Sequence, residues 1–130
     1  MKNPVRVKQW FLRAKSCLAR AKIGAGADFI LYEDLCFDAQ QAVEKALKSL
    51  CISQDIIFPK THDISYLFDL LEQKIKIPEQ IRDSRVLNEY AVELRYPGDY
   101  NPVNEEEYRN SVKLAEIVLL WVEENINSVL

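Results

Sequence analysis

A chain of 130 residues fills one hydrophobic core, so residues 1–130 are read as a single domain. Lys and Arg number 17 against 20 Asp and Glu, a net charge of −3, and 48% of residues are hydrophobic, which excludes a disordered or uniformly basic chain. Three Gly and five Pro are too few to turn many short strands, so the composition indicates helices.

Pro4, Gly24 with Gly26, Pro59, Pro78, and the group Pro97, Gly98 and Pro102 divide the chain into five helical segments. The first, from about Val5 to Ile23, places Val7, Trp10, Phe11, Ala14, Leu18 and Ala21 on one face at steps of three and four. The second, about Tyr32 to Ile52, turns Leu35, Ala39, Val43, Ala46 and Leu50 inward and begins with Glu33 and Asp34, acids that suit a helix N-terminus. A third starts near Thr61 or Asp63, either of which can cap it, and runs to about Lys74. The fourth spans about Glu79 to Arg95 and buries Ile81, Leu87, Tyr90, Ala91 and Leu94, ending before Pro97. In the fifth, about Asn104 to Asn127, Tyr108, Val112, Ala115, Leu119, Val122 and Ile126 form one apolar stripe and Leu114, Ile117, Val118 and Trp121 a second beside it, so this helix is read as central in the bundle and facing a second subunit. Short links between such helices predict an all-α, up-and-down four-helix bundle with one additional short helix.

No basic segment followed by an apolar run opens the chain, and the longest uncharged apolar run, Ile117–Val122, is far short of the ~20 residues that span a bilayer. A cytoplasmic protein without membrane contact is expected. Cys17, Cys36 and Cys51 lack CxxC spacing and have only His62 to accompany them, so buried thiols are expected rather than disulfides or a metal site, and no cofactor is indicated.

Charge is unevenly placed. Residues 1–31 hold seven Lys and Arg against Asp28 alone, while residues 99–130 hold Arg109 and Lys113 against seven acids. The helical wheel splits the basic residues into two rows flanking the apolar face, Arg6, Arg13 and Arg20 on one side and Lys8, Lys15 and Lys22 on the other. Solvated flanks and an RNA-phosphate surface both fit, and the acidic last helix could pair with the basic first.

Three stretches carry candidate chemistry. His62, the sole histidine, sits in Phe58-Pro59-Lys60-Thr61-His62-Asp63, where Lys60, His62 and the free N–H groups of the third helix could hold an anion, or Thr61 and Asp63 could simply cap the helix. Arg95-Tyr96-Pro97-Gly98-Asp99-Tyr100 combines a cation, two aromatics and a tight turn, fitting either a helix C-terminus or nucleotide stacking. In the second helix, Gln40 and Glu44 are one turn apart, as are Gln41 and Lys45, which indicates pairing on a surface or a carboxylate that orients Arg95 across the bundle.

Taken with Cys36 to Lys48, these stretches resemble the HEPN family of small helical domains: Phe58-Pro59-Lys60-Thr61-His62-Asp63-Ile64 and Tyr90-Ala91-Val92-Glu93-Leu94-Arg95-Tyr96-Pro97-Gly98 follow it in order, and the likeness extends from Trp10 to about Trp121. The resemblance implies a dimeric four-helix bundle, in bacteria or archaea often encoded beside a minimal nucleotidyltransferase as a toxin and antitoxin pair. It also implies, for catalytic members, ribonuclease chemistry from an Arg and a His with four to six residues between them. Arg95 matches the Arg, but Tyr100, Asn101 and Pro102 occupy the His window, and a tyrosine of pKa about 10 is a poor base at neutral pH.

Three functions follow from the sequence. The first is a noncatalytic homodimer that binds a nucleotide or RNA, or serves a nucleotidyltransferase partner, through Lys60, His62, Arg95, Asp99 and Tyr100. A second is a divergent ribonuclease toxin in which Arg95 stabilises the phosphate and His62 or Tyr100 transfers the proton. The third is a purely structural dimerisation module with Leu119 and Trp121 at its interface.

Overall fold

The computed structural model describes residues 3–24, 26–91, 98 and 101–128. Among them, every regular element is helical. Helix α1 (Pro4–Ile23) starts with proline in its first turn and Asn3 as N-cap, the Asn3 side chain accepting from the Arg6 N–H at 3.2 Å. Helix α2 (Tyr32–Ser53) follows a short connection in which Gly24 packs closely on Leu35: a Cβ there would lie 2.3 Å from Leu35 Cδ2 and would displace that methyl. Three helix ends are then tied together: the Tyr108 O–H donates to the Ala21 carbonyl at 2.6 Å while its ring stacks on Tyr32, centroids 5.2 Å apart.

Helix α3 (Ile64–Glu72) ends two residues before the predicted limit and is capped by Asp63, whose carboxylate accepts from the N–H groups of Ser65 and Tyr66 at 2.9 and 3.3 Å. The predicted fourth α-helix is replaced by one α-turn, α4 (Glu79–Arg82), continuing into a 3-10 helix over Asp83–Ala91. The reason is visible in the side chains. Ile81, Ser84, Leu87 and Tyr90 are buried at steps of three, the repeat of a 3-10 helix and not the mixed three-four step of an α-helix. Predicted Leu94 lies outside the described residues, and Ala91 is only half-buried.

Helix α5 (Glu105–Ile126) has Asn104 and Asn127 as its caps, with the Asn104 side chain accepting from the Glu107 N–H at 2.8 Å and three acids in the first turn. Its second stripe packs only in part: Val118 is buried, whereas Leu114, Ile117 and Trp121 are half-buried. The central element is instead α2, buried from Leu35 to Ser53 on nearly all sides and packed against α1, α3, the 3-10 segment and α5. The result is an up-and-down four-helix bundle with one short extra helix.

Candidate functional site

The central position of α2 changes the meaning of its polar residues. The spacing of Gln40, Gln41, Glu44 and Lys48 suggests a surface row, yet all four are buried. Carbonyl and carboxylate groups inside a fold need partners, and here the loop before α3 supplies them. The Lys45 ammonium donates to Gln41 Oε1 at 2.7 Å, the i,i+4 pair predicted from the sequence. Gln41 Nε2 then donates to Gln40 Oε1 at 2.7 Å, and Gln40 Nε2 to the His62 carbonyl at 2.9 Å. The network closes through the side chain of the same histidine: Nδ1 lies 2.7 Å from Glu44 Oε1, whose other oxygen is 3.5 Å from Lys48 Nζ.

Glu44 therefore faces His62 and Lys48, not an open surface, and Arg95, to which the sequence alternatively offered it, lies outside the described residues. With the carboxylate accepting, His62 carries its proton on Nδ1 and presents Nε2 from a side chain that is 62% exposed. Lys48 is 7% exposed, its ammonium 5.3 Å from the ring centre of Trp10 and 5.8 Å from that of Phe58. Trp10, Glu44, Lys48 and His62 line a cleft of about 350 Å³ with Arg13, Gln41 and Lys45. His62 also borders a second hollow of about 330 Å³ with Asp63, Asn88 and Ala91. The histidine is thus held at the ridge between two depressions.

The N–H groups at the start of α3, offered to an anion by the sequence, have partners within the chain. Ile64 donates to Asn88 Oδ1 at 2.8 Å, Ser65 and Tyr66 donate to Asp63, and Asn88 Nδ2 braces the same Asp63 oxygen at 2.8 Å. Thr61 accepts from the Asp63 N–H at 3.1 Å, so both candidate capping residues act on this turn. Lys60 is exposed two residues before His62. Arg95, Asp99 and Tyr100 lie outside the described residues, so their relation to His62 is not part of the described geometry. Leu119 is 5% exposed and belongs to the core of its own chain, with Leu120 beside it 62% exposed and Trp121 half-buried.

Sequence reasoning missed Trp10 as a cleft wall, having placed it on the core face, and missed Asn88 entirely; neither position carries a local signal of its distant partner. The two basic rows of α1 have different fates. Arg20 pairs with Asp38 at 2.9 Å, Arg13 enters the His62 cleft, and on the other flank Lys22 reaches Glu116 of α5 at 3.3 Å.

The three thiols are free and buried, as expected. Burial pushes all three up, Cys51 to about 12 despite the nearby Lys48 charge. Burial first, and then its hydrogen bond to Glu107, also raises the Tyr90 hydroxyl above its ordinary range. Among the described residues no group of His, Cys, Asp and Glu could hold a metal ion, and no helix is long and apolar enough to cross a membrane.

The model of the HEPN domain matches residues 7–125. Two solved structures are similar over nearly their whole lengths. TT1696 from Thermus thermophilus is 30% identical with a TM-score of 0.81, covering 92% of this chain and 98% of that one. ST0689, described as an archaeal HEPN homologue, is 28% identical with a TM-score of 0.74, covering 97% and 99%. No curated protein matches the chain.

Proposed function

This chain belongs to the HEPN domain family, and from that premise we propose that it is a noncatalytic nucleotide- or RNA-binding subunit, working as a homodimer and as the partner of a minimal nucleotidyltransferase in a toxin-antitoxin-like pair. The observation that carries the reading is the cleft beside His62. Arg13, Lys45 and Lys48 offer cationic donors to a phosphate and Trp10 offers a ring to a base. Glu44, the one carboxylate among the described residues of the lining, is already engaged by His62 and Lys48. Lys60 is exposed two residues away from His62, and Arg95, Asp99 and Tyr100 would complete the site from the segment that follows Ala91. The absence of a histidine in the window after Arg95 argues against the ordinary ribonuclease arrangement.

One observation favours the ribonuclease alternative. A histidine whose Nδ1 is bonded to a buried carboxylate while its side chain is 62% exposed is held as a general base or acid would be. The two readings separate in one experiment on purified protein without added metal, measuring nucleotide binding and RNA cleavage for wild type, His62→Ala and Arg95→Ala. Binding without cleavage, weakened by both substitutions, supports the binding subunit. Cleavage lost in both variants makes the protein an enzyme. Copurification with a nucleotidyltransferase tests the partnership separately.

A further inference from the structure

Arg6 and Arg13 are seven residues apart, so they share one stripe of α1 about 10 Å apart along its axis, with Trp10 between them. Arg13 lies in the His62 cleft, while Arg6 lines a separate hollow of about 500 Å³ with Asn3, Ile57 and Phe58. The two hollows are neighbours across a pair of rings, Phe58 of one standing edge-on to Trp10 of the other with centroids 6.2 Å apart. The floor at this junction is Lys48. Its ion pair with Glu44, at 3.5 Å, is longer than a charge-assisted hydrogen bond of about 2.7–2.9 Å, so the ammonium keeps donor capacity toward the cleft.

The distribution of acids gives this side of α1 its sign. On the opposite flank, Lys15 and Lys22 lie against Glu116 of α5, and Arg20 at the far end pairs with Asp38. Along the hollows, among the described residues, Arg6, Arg13, Lys45 and Lys48 stand with two carboxylates, Glu44, already held by His62 and Lys48, and Asp55, which lines the hollow of Arg6. We infer that the two neighbouring hollows form a track for the backbone of a single-stranded polynucleotide, with Arg6 and Arg13 on separate phosphates and Trp10 against a base. Alternating cations and rings along a groove are what such a strand needs, since phosphates take the charges and any base can stack. A mononucleotide seated beside His62 would leave Arg6 unused. The inference extends the binding function proposed above and rests on it.

Fluorescence anisotropy with a labelled ten-nucleotide 2′-O-methyl uridine oligomer, which cannot be cleaved through its 2′-oxygen, tests this against uridine monophosphate as competitor. The oligomer is expected to bind at least ten-fold more tightly than the monophosphate. Arg6→Ala, an exposed substitution on a helix whose N-cap is untouched, should weaken the oligomer about five-fold, leave the monophosphate unchanged, and flatten the slope of log affinity against log salt by about 0.7. If the monophosphate binds but the oligomer gains nothing, or if Arg6→Ala has no effect, the track is wrong while the His62 site stands. If neither ligand binds, both proposals fall.

Discussion

Glu44 Oε1 lies 2.7 Å from His62 Nδ1, joining a carboxylate that is 2% exposed to an imidazole that is 62% exposed. The link runs from the centre of the bundle to its surface. Gln40 holds the carbonyl of the same histidine, so α2 fixes both the backbone and the ring of a residue on the neighbouring loop.

Removing the carboxylate alone should be costly. Glu44→Ala leaves the Lys48 ammonium buried without its counter-ion, and breaking a buried pair costs about 3 kcal/mol or more. Replacing both residues with apolar ones of similar size, Glu44→Leu with Lys48→Met, should recover most of that loss. Urea denaturation of the two variants checks it; a single Glu44→Ala variant as stable as wild type would mean the pair is solvated in solution.

His62→Ala should cost the fold less. The ring is exposed and its removal deletes no core packing, only the hydrogen bond to Glu44, which Lys48 still neutralises, so stability should fall by about 1–2 kcal/mol, while nucleotide binding falls by about ten-fold. A thermal melt and a titration with a nucleoside monophosphate, run on the same preparation, read the two effects apart.

Asn88 caps α3 from a distance. Asn88→Ala removes the acceptor of the Ile64 N–H and a donor to Asp63, which should cost about 1–2 kcal/mol and speed exchange of the Ile64 amide ahead of the amides in mid-α2. Hydrogen exchange resolved by residue is the measurement, and unchanged protection at Ile64 would contradict it.

The thiols predict an alkaline limit. Cys51 ionises near 9 when unfolded and is pushed up to about 12 in the fold, so above pH 9 the unfolded chain releases a proton that the native state retains. The stability due to this group is complete below pH 9 and is lost as pH rises toward 12. Unfolding midpoints at about pH 8 and about pH 10.5 should differ in that direction, and a thiol reagent should meet three slow cysteines in the native protein and three fast ones in denaturant. A rapidly reacting thiol in the native state would disprove the burial.

Two adjacent leucines of α5 should give different failures. Leu119→Glu places a charge in the core and should unfold the chain, whereas Leu120→Glu alters an exposed side chain beside an apolar hollow formed with Phe11 and Leu18. If α5 joins two copies, sedimentation of Leu120→Glu should show a folded monomer where wild type sediments as a dimer; an unchanged dimer would place the interface elsewhere.

The helices were legible where the signals are local. Pro4, Glu33 with Asp34, Asp63 and Asn104 each mark a helix start, and the Gly and Pro positions separate the segments to within a few residues. What could not be read is which polar face a loop covers. Gln41 and Lys45 show the same i,i+4 spacing whether they meet water or protein, and nothing near Glu44 announces a histidine eighteen positions later. The 3-10 segment lay between these cases: its three-residue step was present in Ile81, Ser84, Leu87 and Tyr90, but the serine interrupted the apolar pattern that would have revealed it.

That three-residue step restricts how the segment can be redesigned. Nine residues in 3-10 form extend about 18 Å, against about 13.5 Å as an α-helix, and Leu87 and Tyr90 meet the core only at the longer pitch. Strong helix formers placed on the outer side of Asp83–Ala91, the usual recipe for stiffening a helix, would shorten it by about 4 Å and swing both anchors off their seats. A substitution that looks favourable residue by residue would act here as a lever against the fold, and a one-residue deletion would rotate everything beyond it by about a third of a turn.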